Sequence, residues 1–70
     1  MITGPRLRAA RVSIGWEPKM LVMQAKVPVS VVHLAENSPG EPLTTINQLN
    51  ALMKTLWTAG ARFPPADLPA

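Results

Sequence analysis

Residues 27–36 read VPVSVVHLAE, and this stretch decides the fold because it fits either a strand or a helix. Four of its ten residues are valine, and β-branched side chains favour strands. It runs, however, into Leu34-Ala35-Glu36-Asn37, which is typical of the end of a helix. The choice between the two depends on the segments on either side.

A helix is predicted over residues 3–14, before this stretch. Thr3 or Gly4 can cap it, and Pro5 suits its first turn, where a missing N–H costs nothing. Gly15 provides its C-terminal stop.

A second, short helix is predicted over residues 18–25. Pro18 suits the first helical position, and the following residues are compatible with a helix as far as Ala25. With about two turns, this helix depends on packing against the rest of the chain. Trp16, just before it, is expected in the core, and Lys26, just after it, falls where the chain must turn sharply.

The longest helix is predicted after the loop SPGEP at residues 38–42. Thr45 and Gln48 have the spacing of a capping box, and Gly60 ends the helix. Apolar residues follow the cap at helical spacing: Ile46, Leu49, Leu52, Met53 and Leu56. A short extended piece is expected at 61–63, followed by a flexible, proline-rich tail at 64–70.

No other segment is a convincing strand that could pair with residues 27–34. A lone strand would leave its backbone N–H and C=O groups unpaired, so a helix over 28–36 is predicted instead. Val32 and Ala35 should then face the core, with Val27 and Val31 partly covered. The prediction is an all-α bundle of four to five helices, with residues 1–63 as its single folded domain.

Composition limits the possible functions. A chain of 70 residues has a small core, so a second copy is a natural source of added stability. It has no cysteine and one histidine, so no disulfide, metal site or cofactor is expected. The net charge of +3 favours an anionic partner such as nucleic acid, although it could equally serve solubility alone.

Targeting features are also lacking in the sequence pattern. The N-terminal residues do not resemble a signal peptide, and the most apolar run is interrupted by Gln24 and Lys26. A cytoplasmic protein that does not enter membranes is therefore expected.

Two short helices joined by a tight turn and packed on a third form a helix-turn-helix. The residues LRAARVSIGW (7–16) and V-x-V-S-x-V-x-x-x-E-N (27–37) resemble the XRE/Cro–cI family of transcriptional regulators. The usual run in that family is LRxARxxxGWSQxxLAxxAGVSxxTIxxLENG, and ALMKTLWTAGARF (51–63) is similar to its frequent ALxxAGVxF ending. The resemblance covers about residues 3–63 and implies a lambda-repressor-like bundle.

The resemblance implies roles for individual residues. It pairs Arg11 with Glu36, which ties the first helix to the end of the third. It places the residues that read base edges at Val29, Ser30, His33 and Leu34. It places Asn37 and Ser38 in the loop after the third helix, which would approach phosphate with backbone N–H groups. If the protein binds DNA, further phosphate contacts would come from the basic residues Arg6, Arg8, Lys19 and Lys26.

The sequence departs from the family pattern at positions nearest DNA. Glu17-Pro18 replaces Ser-Gln, so one residue lacks an N–H donor and the other has the wrong charge for phosphate. Lys26 replaces the turn glycine, at a cost of about 1 kcal/mol or more if it is left-handed. The recognition face is nearly all apolar, and valine and leucine can contact only thymine methyl groups.

Two functions compete on these observations. The first is a sequence-specific DNA-binding regulator, most simply a homodimeric repressor on an inverted repeat, with Leu52, Leu56, Trp57 and Phe63 in the dimer interface. The second is a degenerate helix-turn-helix that binds a transcription factor, as an anti-activator does, through an apolar patch of Val29, Val31 and Leu34. An enzyme is disfavoured, because His33 is the only side chain suited to general base catalysis at neutral pH.

Overall fold

Four helices make up the fold in the computed structural model, which describes residues 2–64 and 67. They are α1 (Gly4–Ser13), α2 (Pro18–Ala25), α3 (Val29–Asn37) and α4 (Ile46–Thr58). The described part of the chain contains no strand, so the all-α prediction is confirmed. The disputed stretch is helical from Val29 onward.

Helix α1 begins and ends within one residue of the predicted limits. Thr3 is its N-cap, although the Thr3 side chain makes no capping hydrogen bond, and Pro5 lies in the first turn. The chain leaves the helix through Gly15, whose φ of 73° is favourable for glycine and for few other residues. The helix is one residue shorter at each end than predicted.

The turn between α2 and α3 depends on Lys26. This residue adopts φ 57° and ψ 44°, the left-handed conformation predicted for it, and its N–H donates to the Val22 carbonyl at 3.0 Å. Pro28 then takes an extended conformation and caps α3. Lys26 and Pro28 therefore divide this largely apolar stretch into two separate helices.

The register of α3 confirms the predicted inward and outward faces. Val32 and Ala35 are buried in the core, and Val27 and Val31 are partly covered against it. The opposite face is exposed, with Val29 52% and Leu34 48% accessible.

Helix α4 carries the most regular apolar face of the chain. Its N-terminus has the predicted capping box: the Gln48 N–H donates to Thr45 Oγ1 and the Thr45 N–H donates to Gln48 Oε1, both at 3.1 Å. α1 and α2 both pack against it. Its core-facing residues are buried within a single subunit: Leu49, Leu52, Met53 and Leu56.

The C-terminal segment completes the core. Residues 61–64 form neither helix nor strand, but Ala61 and Phe63 are buried against α4 and the other core residues. Asp67, in the predicted tail, is also buried and its Oδ1 lies 2.7 Å from Arg6 Nη1. Residues 65–66 and 68–70 of the predicted tail lie outside the described residues.

None of the four described helices combines the length with the apolar character that crossing a membrane requires.

Candidate nucleic-acid interface

The outward face of α3 is the most prominent feature of the candidate site. Val29, Ser30, His33 and Leu34 are all exposed, and their spacing puts them on one side of the helix. A single helix of this kind fits the width of the major groove of B-DNA. The structure thus brings together the four residues predicted to read base edges.

A buried ion pair fixes the C-terminal half of α3 against α1. Arg11 Nε donates to Glu36 Oε2 at 2.8 Å and Arg11 Nη2 to Glu36 Oε1 at 3.0 Å, a bidentate arrangement. The third donor, Arg11 Nη1, reaches the Trp16 carbonyl at 2.7 Å. The pair forms as the sequence predicted, and both side chains are less than a tenth exposed. It also neutralises a carboxylate that would otherwise repel phosphate beside α3.

Gly4 lets the start of α1 approach the end of α3 closely. A Cβ atom there would lie 2.7 Å from the Ala35 carbonyl oxygen and would overlap that of Ser38. The Gly4 N–H donates to the Gly40 carbonyl at 3.0 Å, which joins α1 to the loop after α3. From the sequence, Gly4 is predicted only as a possible cap. Its close approach to α3 leaves no local sequence pattern, because the two segments are far apart in the chain.

Three of the predicted phosphate-contacting cations are exposed on the helices around α3. Arg8 on α1 lines a cleft with His33, Glu36 and Asn37 of α3. Lys19 lies on α2, and Lys26 occupies the turn before α3. The exposed Glu17 at the α2 N-cap is the opposing charge on this side.

Arg6 does not belong to this set. Its guanidinium pairs with Asp67 and lines a separate cleft with Ala9, Arg62 and Phe63, next to the C-terminal segment. Arg6 and Arg8 are two residues apart on a helix, so they project in widely different directions. Arg6 therefore lies apart from the cations around α3, and its contact with phosphate stays a prediction.

Ser38, predicted to approach phosphate through its backbone N–H, is buried. It is 4% exposed, and its hydroxyl donates to the Leu34 carbonyl at 2.7 Å. The same hydroxyl accepts a hydrogen bond from the Leu43 N–H at 3.2 Å. Ser38 therefore holds the loop against the end of α3, while its neighbour Asn37 is exposed.

Most residues of the predicted dimer interface are buried within one subunit. Leu52 and Leu56 are fully buried, and Phe63 is 7% exposed, so none of them can offer much surface to a second copy. Within one subunit, α1, α2 and the C-terminal segment together cover the apolar face of α4. Only Trp57 remains accessible, at 44%, stacked on Phe63 and with the Arg62 guanidinium 4.6 Å from its ring centroid.

Comparisons with protein-family models, with curated proteins and with solved structures give no match for this chain. The resemblance of residues 3–63 to the XRE/Cro–cI family stays a prediction that rests on the residues quoted above.

Proposed function

We propose that this chain is a sequence-specific DNA-binding regulator that places the outward face of α3 in the major groove. The observation that carries the proposal is the exposure of Val29, Ser30, His33 and Leu34 on a helix whose inner face is anchored in the core. Rigid anchoring supports such a role, because base contacts require side chains held in a fixed register.

The side chains on and around this face differ in the contacts that they can make with DNA. Ser30 and His33 can exchange hydrogen bonds with base edges, whereas Val29 and Leu34 can contact thymine methyl groups. Arg8, Lys19 and Lys26 would supply the affinity that does not depend on sequence, through phosphate. A single copy of this face would distinguish only weakly between DNA sequences.

A homodimeric repressor on an inverted repeat is therefore part of the proposal. Two copies would read two half-sites about 34 Å apart, one helical turn of DNA, and so double the contacts that discriminate. Trp57 and the exposed Ile46 lie eleven residues apart on α4, which puts them on one side of that helix. They are the apolar surface that a second copy would cover.

The test is selection of binding sites from random duplexes, followed by affinity measurements between 50 and 200 mM salt. Binding by phosphate contacts must weaken steeply over this range. Lys26→Ala is expected to weaken selected and random duplexes alike, whereas Ser30→Ala should weaken only the selected site. Lys54→Ala removes the same charge from the outer side of α4 and serves as the control. Failure to bind any duplex at 50 mM salt would refute the proposal.

A second candidate function is supported by the exposed apolar side chains on α2 and α3. Met23, Val29 and Leu34 are 61%, 52% and 48% accessible, and exposed apolar surface commonly marks a protein interface. In this case the protein would bind a transcription factor as an anti-activator. Val29→Asp and Leu34→Asp should then abolish association with that partner, and the affinity of the unmodified protein should barely change between 50 and 200 mM salt.

A further inference from the structure

A cleft of about 200 Å³ lies where α1, the start of α2 and the second half of α3 meet. Its lining is rich in charged and polar side chains: Arg8, Arg11, Pro18, His33, Glu36 and Asn37. We propose that this Arg8–His33 cleft binds one phosphate group, and that His33 is a phosphate ligand instead of a base reader. The identification of that group as a DNA backbone phosphate rests on the proposed function, whereas binding of the anion does not.

The charge of the cleft favours an anion. Arg11 and Glu36 neutralise each other through their bidentate pair, which uses both carboxylate oxygens. Within the described residues, Arg8 makes neither a hydrogen bond nor an ion pair, so its charge is left uncompensated. On the facing start of α2, Glu17 and Lys19 flank Pro18 and carry opposite charges. The net charge around the cleft is therefore positive.

The side chains at the mouth of the cleft supply hydrogen-bond donors of the right kind. Arg8 offers a planar guanidinium, His33 an imidazole N–H and Asn37 an amide NH₂ group, and all three residues are exposed. No hydrogen bond occupies these side chains among the residues that the structure describes. A tetrahedral oxyanion presents several acceptors in different directions, so it can accept from donors on both α1 and α3. The volume, several times the roughly 30 Å³ of a water molecule, leaves room for such a group.

The position of His33 along α3 separates it from Val29 and Ser30, and its place in the cleft separates it from Leu34. In a helix that enters the major groove, the N-terminal residues reach the base edges. Val29 and Ser30 begin α3, whereas His33 lies a turn further along, beside Arg8 of α1. His33 is therefore placed with the residues that would contact the backbone.

The anion is tested first, with the intact protein and inorganic phosphate at pH 6, where phosphate is mainly singly charged, like a phosphodiester. His33 is the only histidine, so its ring resonances in the NMR spectrum are unambiguous. Sodium phosphate should shift the His33 ring and Asn37 amide signals saturably, whereas sodium chloride at equal ionic strength should not. Arg8→Ala should abolish the response, and Lys54→Ala, on α4, should retain it. Equal responses in the two variants, or no saturation, would overturn the site.

The DNA arm decides the role of His33. At pH 6, His33→Ala should weaken a selected duplex and a random duplex by the same factor, and should flatten the salt dependence by up to about one unit. Loss of affinity for the selected duplex alone, with an unchanged salt dependence, would make His33 a base reader and overturn the inference. A thermal melt of the variant checks that it remains folded.

The two arms also separate this inference from the proposed function. Saturable phosphate binding by a protein that binds no duplex would refute the DNA-binding function and leave the cleft as a site for free phosphate. The protein could instead bind DNA sequence-specifically, show no response to inorganic phosphate and use His33 to read bases. That result would support the DNA-binding function and refute the phosphate site.

Discussion

Helices α3 and α4 differ in what keeps them helical. α4 has a capping box, a regular apolar stripe and a length of 13 residues, so much of its stability is encoded locally. α3 has nine residues, three of them valine, and its N-cap Pro28 makes no side-chain capping bond. It is stabilised as a helix by residues far away in the sequence. Arg11 pairs with Glu36, and Gly4 packs closely against its last turn.

The difference shows that a helix with an exposed outward face can have little stability of its own. Its outward residues then do not contribute to the stability of the fold, and the surrounding helices keep the helix rigid. The variants below test this division between a helix held by context and one held by local interactions.

Arg11→Met should have the largest effect. The change leaves Glu36 as an unpaired carboxylate whose side chain is 7% exposed, and breaking a buried pair costs about 3–5 kcal/mol. That is most of the free energy of unfolding expected for a domain of this size. Urea denaturation followed by circular dichroism measures it.

The matched control for this variant is Arg8→Met on the same helix, because Arg8 is exposed and makes no ion pair among the described residues. Its effect should therefore stay within about 0.5 kcal/mol. Equal destabilisation by the two changes would contradict the view that the Arg11–Glu36 pair specifically anchors α3.

Gly4→Ala tests the second anchor of α3. The added methyl group would collide with backbone carbonyl oxygens of Ala35 and Ser38, which cannot rotate away as a side chain can. We expect a loss of about 1–3 kcal/mol, in the range of overpacked cores, from the same denaturation measurement. Gly40→Ala is the control, because nothing lies within 4 Å of a Cβ at that position. A stable Gly4→Ala protein would show that α1 and α3 can separate without cost.

Thr45→Ala probes the local stability of α4. It removes the hydroxyl that accepts from the Gln48 N–H, and the loss of such a cap costs about 1 kcal/mol. Thr3→Ala at the cap of α1 should cost less, because the Thr3 side chain makes no capping bond. The two melting temperatures should therefore differ by several degrees, and a reversed order would mean that the α4 cap is not a source of its stability.

Lys26→Gly should have the smallest effect, and it should stabilise the protein. Relief of the left-handed conformation is worth about 1–2 kcal/mol, and the greater freedom of glycine in the unfolded chain offsets about 0.5–1 kcal/mol of this. Gly15→Ala provides the opposite change at a φ of 73° with no steric neighbour within 4 Å, and should destabilise. A Lys26→Gly protein that melts below the unmodified protein would show that the lysine side chain has a structural contact of its own.

The helices and their faces could largely be predicted from local patterns. Pro18 and Lys26 bound α2, Thr45 and Gln48 start α4, and the inward positions of Val32 and Ala35 follow from helical periodicity. These features depend on residues that are close in the sequence, where propensity, capping and spacing act directly.

The identity of α3 as a helix and the surroundings of its outward face depend on contacts between distant residues. No local pattern shows that Arg6 turns toward Asp67 while Arg8 joins His33, or that Ser38 is enclosed by its own loop. Local patterns also do not show that Leu52 and Leu56 are covered within one subunit. Local patterns fix which residues form a helix and which side of it is apolar. What lies against each side is set by the packing of helices far apart in the chain, since burial and charge pairing are properties of the whole arrangement.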